Sequence, residues 1–133
     1  MKLEQSQVAT FMRGVNERNG REVQAIGETS AIRDAELRAR LIREEADETV
    51  KAILEGDLVE AIDGLCDLLY VALGTAVSFG VDLEPFWEEV HANNMTKLAG
   101  PIVDGKLRKP EGWKPPRIRE LLRELYGWEG EGR

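Results

Sequence analysis

Cysteine is nearly absent from this chain. Cys66 stands alone among 133 residues, which excludes a disulfide framework and a thiolate metal site. Its neighbours Leu65, Leu68 and Leu69 make it read as a packed core thiol, and a single unpaired thiol fits a reducing cytoplasm. Histidine is as scarce, with His91 the one example. No run of strand-like alternation occurs, and the G-x-x-x-x-G-K-S/T loop and the dinucleotide fingerprint are both missing. A triphosphate substrate would therefore have to be held mainly through metal. MKLEQSQVAT carries no signal-peptide apolar region, and no apolar run nears the roughly 20 residues that span a bilayer, so no membrane partner is expected. Basic residues fall short of acidic ones, 18 against 25, for a formal charge of −7. That balance argues against a nucleic-acid surface and leaves local basic residues free to hold a phosphate.

What the chain does have is helical periodicity. The length fits one domain over residues 1–133, with a core too small to bury a carboxylate cluster cheaply. Val8, Phe11, Met12 and Val15 recur at three- and four-residue spacing in a first amphipathic helix over residues 5–16. Polar residues and two glycines then mark Asn16 to Ser30 as a surface connection. A second helix starts at Asp34 as N-cap and ends before Gly56, with apolar Leu37, Leu41, Ile42, Val50, Ile53 and Leu54 on two sides. Gly56 and Asp57 form a C′ glycine and an N-cap. The third helix runs from Asp57 to about Phe79, is apolar around most of its circumference, and is the expected centre of the fold. Its small residues Gly64, Ala72, Gly74, Thr75 and Ala76 admit a close neighbour. Asp82 is placed to cap a fourth helix with Pro85 in its first turn, Pro116 opens a short last helix, and the closing EGEGR is expected to lack order. The fold class is all-α, a four-helix-bundle-like arrangement with a short extra C-terminal helix.

Six carboxylates organise this scaffold. Each helical residue turns by about 100°, so Glu44, Glu45 and Glu48 form one ridge, and Glu60, Asp63 and Asp67 form another on the next helix, within a hairpin spanning residues 34–80. Like charges at this spacing repel by a few tenths of a kcal/mol per pair, and these interrupt faces that otherwise read as core. A solvated acidic face is the plain alternative. Two facing ridges of hard oxygen donors instead suit Mg²⁺, with Mn²⁺ as a second choice. The fourth helix ends in His91, Asn93, Asn94 and Lys97, suited to phosphate or base or simply to a solvated helix end. Lys106, Arg108, Lys109 and Lys114 cluster in the Gly/Pro-rich tail that follows.

The two ridges resemble the EExxE…ExxD pair of the all-α nucleoside triphosphate pyrophosphohydrolases, the MazG-like group that also takes in dimeric dUTPases and phosphoribosyl-ATP pyrophosphohydrolase. REEADE resembles the first motif. DGLCDLLYVALGTA, EVHANNMTK and DGKLRKPEGWKPP look like the second motif and C-terminal signature of a MazG-like subgroup, together covering about Leu37 to Leu121. Many relatives place a Glu three residues before the last Asp, where this chain has Gly64. Asp63 and Glu60 are the acids available in its place.

The resemblance implies a homodimer or homotetramer that hydrolyses nucleoside triphosphates to monophosphate and pyrophosphate with Mg²⁺. Glu44, Glu45 and Glu48 would be first-motif ligands or base and Asp67 the last ligand, with Asp63, or else Glu60, completing the set. Glu45, at the edge of its ridge, is the candidate for the carboxylate that handles the attacking water, and Glu48 is the better-placed ligand. His91, Asn94, Lys97, Lys109 and Trp113 would contact substrate from a segment spanning residues 84–116. Trp87, Phe11 and Asn93 are further candidates for base contact, Trp87 more as a packing residue. The implied role is house-cleaning or control of deoxynucleotide pools, with dUTP or another deoxypyrimidine triphosphate as substrate. The alternatives are phosphoribosyl-ATP hydrolysis and a non-catalytic helical metal-binding or regulatory module.

Overall fold

The structure, a computed structural model, describes residues 4–20 and 31–130. Most of the expected surface connection and the last three residues of the tail lie outside them. The helices are α1 (Gln5–Arg18), α2 (Ala35–Leu54), α3 (Leu58–Ser78), α4 (Glu84–Thr96) and α5 (Ile118–Tyr126), and the fold is all-α as expected. The only strands among the described residues are β1 (Ile102–Val103) and β2 (Lys106–Leu107), an antiparallel pair. Asp104 and Gly105 join them at φ +52° and +73°, the left-handed pair that a two-residue hairpin turn requires. Two compact units divide the chain, Met1–Asp82 and Leu83–Arg133.

In the first unit α3 packs against both α1 and α2. Gly56, at φ +71°, ends α2. The Asp57 carboxylate then accepts the Glu60 N–H at 3.1 Å, so the expected turn and cap both form. Gly80 closes α3 at φ +74°. Asp34 holds the expected N-cap position directly before Ala35, but is left-handed at φ +51° and makes no side-chain cap. Its carbonyl accepts the Arg38 N–H at 2.8 Å, the first bond of the helix. A short polar residue tolerates this conformation.

Glycine sets the helix spacing. A Cβ at Gly64 would come within 2.5 Å of Thr49 Oγ1, and one at Gly74 within 2.7 Å of the Arg38 guanidinium and 3.2 Å of Met12 Sδ. All three helices therefore meet at Gly74. Arg38 crosses from α2 to α3, donating to the Val71 carbonyl at 3.1 Å and to Thr75 Oγ1 at 3.2 Å. Burial lowers its pKa from the usual guanidinium value, against an opposing pull from Asp34. One turn earlier on α3, Tyr70 meets Phe11 of α1 edge to face, with centroids 5.5 Å apart.

Two expectations about α3 change. Cys66 is exposed, not packed, because the leucines around it form a face that α1 and α2 leave open. By length and composition alone α3 is also apolar enough to cross a membrane, with a mean hydropathy of 1.4. Its aspartates are too few to pull that average down. A core helix meets the same test, so the observation stands as a property of the helix only.

In the second unit Phe86 is buried and stacks on Tyr126, tying α4 to α5. Glu89 accepts the Arg117 N–H at 2.9 Å, just before α5 begins. Leu83, not Asp82, is the residue immediately preceding α4. Pro85 sits in the first turn as expected. Trp87 is 63% exposed, which overturns its reading as a packing residue; Phe86 beside it takes the buried side of α4.

Candidate active site

Arg38, Leu41, Glu45, Thr49 and Ala52 recur every three or four residues along α2, and this is the stripe turned toward α3. Its middle member is an acid. Thr49 and Ala52 are buried, and Glu45 is half-buried. The Glu45 Oε2 atom is enclosed by protein and has no hydrogen-bond partner. A buried acceptor left unpaired costs on the order of 1–3 kcal/mol, more if it is charged. Its carboxyl is held above the ordinary range, first by desolvation and then by the charges of Glu48, Asp67, Glu44 and Asp63, in that order.

Those four partners show how the two ridges meet. Asp63 and Asp67 flank Gly64 on α3, and their charges reach Glu45 on α2. Glu60 is absent from that set. It occupies the first turn of α3, where its N–H is capped by Asp57 and an acid is favoured by the helix dipole. Glu44 and Glu48 are exposed on the outer side of the ridge. Glu44 lies 3.9 Å from Arg40 on its own helix, a solvent-screened pair of small value.

Among the described residues no three carboxylate, imidazole or thiol groups converge at coordination spacing. The fit to a hard divalent cation rests instead on the orphaned Glu45 oxygen and on a donor set made only of carboxylates. Such oxygens suit Mg²⁺ or Mn²⁺, and a cation beside Glu45 would satisfy the buried atom and offset the mutual repulsion.

Of the substrate residues expected in the second unit, the structure gathers three. The Lys109 ammonium lies 4.3 Å from the centroid of the Trp113 ring and that of Lys97 5.5 Å. The tail folds back to make this cluster: Gly100 leaves room for the Arg108 carbonyl, which a Cβ would strike, and the Arg108 N–H donates to Pro101 O at 2.8 Å. Asn93 fastens the loop twice, accepting from Trp113 Nε1 at 3.2 Å and donating to the Lys114 carbonyl at 2.8 Å. His91 and Asn94 are exposed on α4.

Sequence reading missed Thr49, Arg38 and this clamp role of Asn93. Thr49 was detectable as a small polar residue one turn beyond Glu45, on the same stripe as Ala52. The clamp was not, because it joins residues about twenty apart through an irregular loop.

A family model described as phosphoribosyl-ATP pyrophosphohydrolase matches residues 8–94. That span takes in both acidic ridges and stops short of Lys97, Lys109 and Trp113. No curated protein matches the chain.

Proposed function

The chain belongs to the phosphoribosyl-ATP pyrophosphohydrolase family and is a nucleotide pyrophosphohydrolase, a hydrolase of phosphoric anhydrides; within that activity we propose that it cleaves nucleoside or deoxynucleoside triphosphates to monophosphate and pyrophosphate, with Mg²⁺ held by Glu44, Glu45, Glu48, Asp63 and Asp67. The observation that carries this reading is the enclosed, unpartnered Glu45 oxygen with acids of both helices acting on it. A solvated acidic face has no reason to enclose its central carboxylate.

When bound, the cation would neutralise phosphate oxygens and polarise the attacking water. Glu45 orients that water and takes its proton on a carboxylate oxygen. Glu44, Glu48, Asp63 and Asp67, whose charges all act on Glu45, would hold the cation beside it. Lys97 and Lys109, held at Trp113, receive phosphate oxygens as point charges. Exposed His91 and Asn94 on α4 are left to contact the base or sugar. House-cleaning or control of deoxynucleotide pools, with dUTP or another deoxypyrimidine triphosphate, is the role that suits this chemistry.

Phosphoribosyl-ATP hydrolysis is the second reading, favoured by the family description itself. Against it stands the Lys97, Lys109 and Trp113 cluster, which lies beyond the matched residues. Pyrophosphate release from canonical, deoxy and modified triphosphates and from phosphoribosyl-ATP, with Mg²⁺ and with EDTA, separates the two. Turnover of phosphoribosyl-ATP alone selects the second. Silence across the whole panel leaves a non-catalytic metal-binding module.

We further propose that the working form is a homodimer or homotetramer. Leu58, Ile62, Leu65 and Leu69 recur at the spacing of a helix–helix seam on a face of α3 turned away from α2, and all four are exposed. A second copy of that same helix offers a matching surface.

A further inference from the structure

We propose that the contact between Gly64 and Thr49 is a positioning device for the Glu45 carboxylate, an inference that rests on the reading of Glu45 as the acid at the reacting centre. An ideal Cβ at Gly64 would lie 2.5 Å from Thr49 Oγ1, 3.1 Å from its Cβ and 3.2 Å from its Cα. The helices thus approach at this height as closely as a missing side chain allows. Thr49 fills the notch and is 3% exposed. Its hydroxyl donates to the Glu45 carbonyl at 2.6 Å. One hydrogen bond and one helical turn therefore separate the closest contact of the hairpin from the acid at its centre.

The arrangement opposes the charges around it. Glu45, Glu48, Asp63 and Asp67 repel one another across the α2–α3 seam, and that repulsion drives the helices apart at the height where the site needs them together. A close approach of two backbones asks only for small side chains. Here the pair is the smallest residue and a threonine whose polar atom is tied to the backbone that carries Glu45. The notch fixes both the separation of the helices and the rotation of α2 about its own axis. It also explains how the chain works without an acid at position 64: no side chain fits there, and the neighbours Asp63 and Asp67 face the site from either side of it.

The test uses the full chain with Mg²⁺ and the triphosphate that the panel finds fastest. Gly64→Ala is expected to lower kcat by about 100-fold with KM within about threefold, since a displacement near 1 Å at a reacting group has that effect. Adding Thr49→Ala to it removes the clashing hydroxyl and is expected to restore at least about tenfold of the lost kcat by relieving that displacement. A purely structural role would shift the melting temperature of Gly64→Ala without this rescue of kcat. Wild-type kcat in folded Gly64→Ala, or equal kcat in the single and double variants, overturns the proposal. If Glu45→Gln keeps wild-type kcat, the reading of Glu45 fails and takes the proposal with it; an inactive Glu45→Gln beside a fully active Gly64→Ala sinks the positioning role alone. If Gly64→Ala does not fold, Thr49→Val keeps the shape while cutting the link to the Glu45 carbonyl. It is expected to lose about tenfold in kcat through misplacement of Glu45, and wild-type kcat there overturns the proposal.

Discussion

The Trp113 indole donates to Asn93 across 3.2 Å, and this bond fastens a lysine-bearing loop to α4. If Lys97 and Lys109 receive phosphate, loosening the clamp should weaken substrate binding more than it slows chemistry. Asn93→Ala is expected to raise KM by about tenfold while kcat falls by less than about threefold, the pattern of lost uniform binding. Steady-state kinetics on the best triphosphate check it. An unchanged KM would remove the loop from substrate binding.

The second-helix acids separate by position. Asp63 and Asp67 both act on Glu45, so Asp63→Asn and Asp67→Asn should each lower turnover by at least about 100-fold, and both should weaken Mg²⁺ binding, as loss of a charged ligand does. Glu60→Gln, altered in the first turn of α3, should stay within about threefold, because its dipole contribution is small. Calorimetric titration with Mg²⁺ beside initial rates decides the matter. A dead Glu60→Gln next to an active Asp63→Asn reverses the assignment.

Glu45 should destabilise the metal-free protein. Its folded pKa is raised above the ordinary 4.5, so between the two values the folded state binds more protons than the unfolded one. Stability from this group is therefore present at low pH and lost as pH rises through the folded value. In EDTA, the melting temperature of Glu45→Gln should exceed that of the parent at about pH 8 and approach it at about pH 5, near the ordinary carboxylate range. The gain is expected to come with loss of turnover, as stability and activity trade against each other at a strained site. A variant less stable than the parent at both pH values would mean that the carboxylate is compensated.

The exposed seam on α3 predicts self-association. Leu65→Lys should convert the assembly to monomer, since a charge placed in a helix–helix seam is left without a partner when buried. Sedimentation at micromolar concentration reads the outcome. A parent chain that already sediments at its formula mass of 14.9 kDa removes the proposal.

Helix boundaries were legible wherever a residue had one physical use. Gly56 and Gly80 sit at positive φ, and Asp57 caps α3, each as its type and place implied. Asp34 precedes α2 as expected but without a side-chain cap, and Asp82 stands one residue before the residue that precedes α4, because short acids serve left-handed turns and loops as readily as caps. Helical arithmetic grouped the acids on each helix but left Glu45 at an edge of its ridge without saying which edge. Only the packing shows that this edge is the α3-facing stripe. Cys66 and Trp87 were misjudged for a related reason: burial depends on what another element covers, and a residue's neighbours in sequence do not determine that.

Gly74 is the place where α1, α2 and α3 touch, with Met12, Val8 and the Arg38 guanidinium around it. The acids lie on the part of α3 nearer its start, where α2 is the neighbouring helix. The repelling acids thus lie between two holds, the Arg38 contacts with α3 on one side and the Gly56–Asp57 turn with the Gly64–Thr49 contact on the other. They are strung like a bow between fixed tips. Neither hold has to be released for a charged guest to enter, so amide protection along α3 should stay continuous from Asp63 to Gly74 when the cation binds.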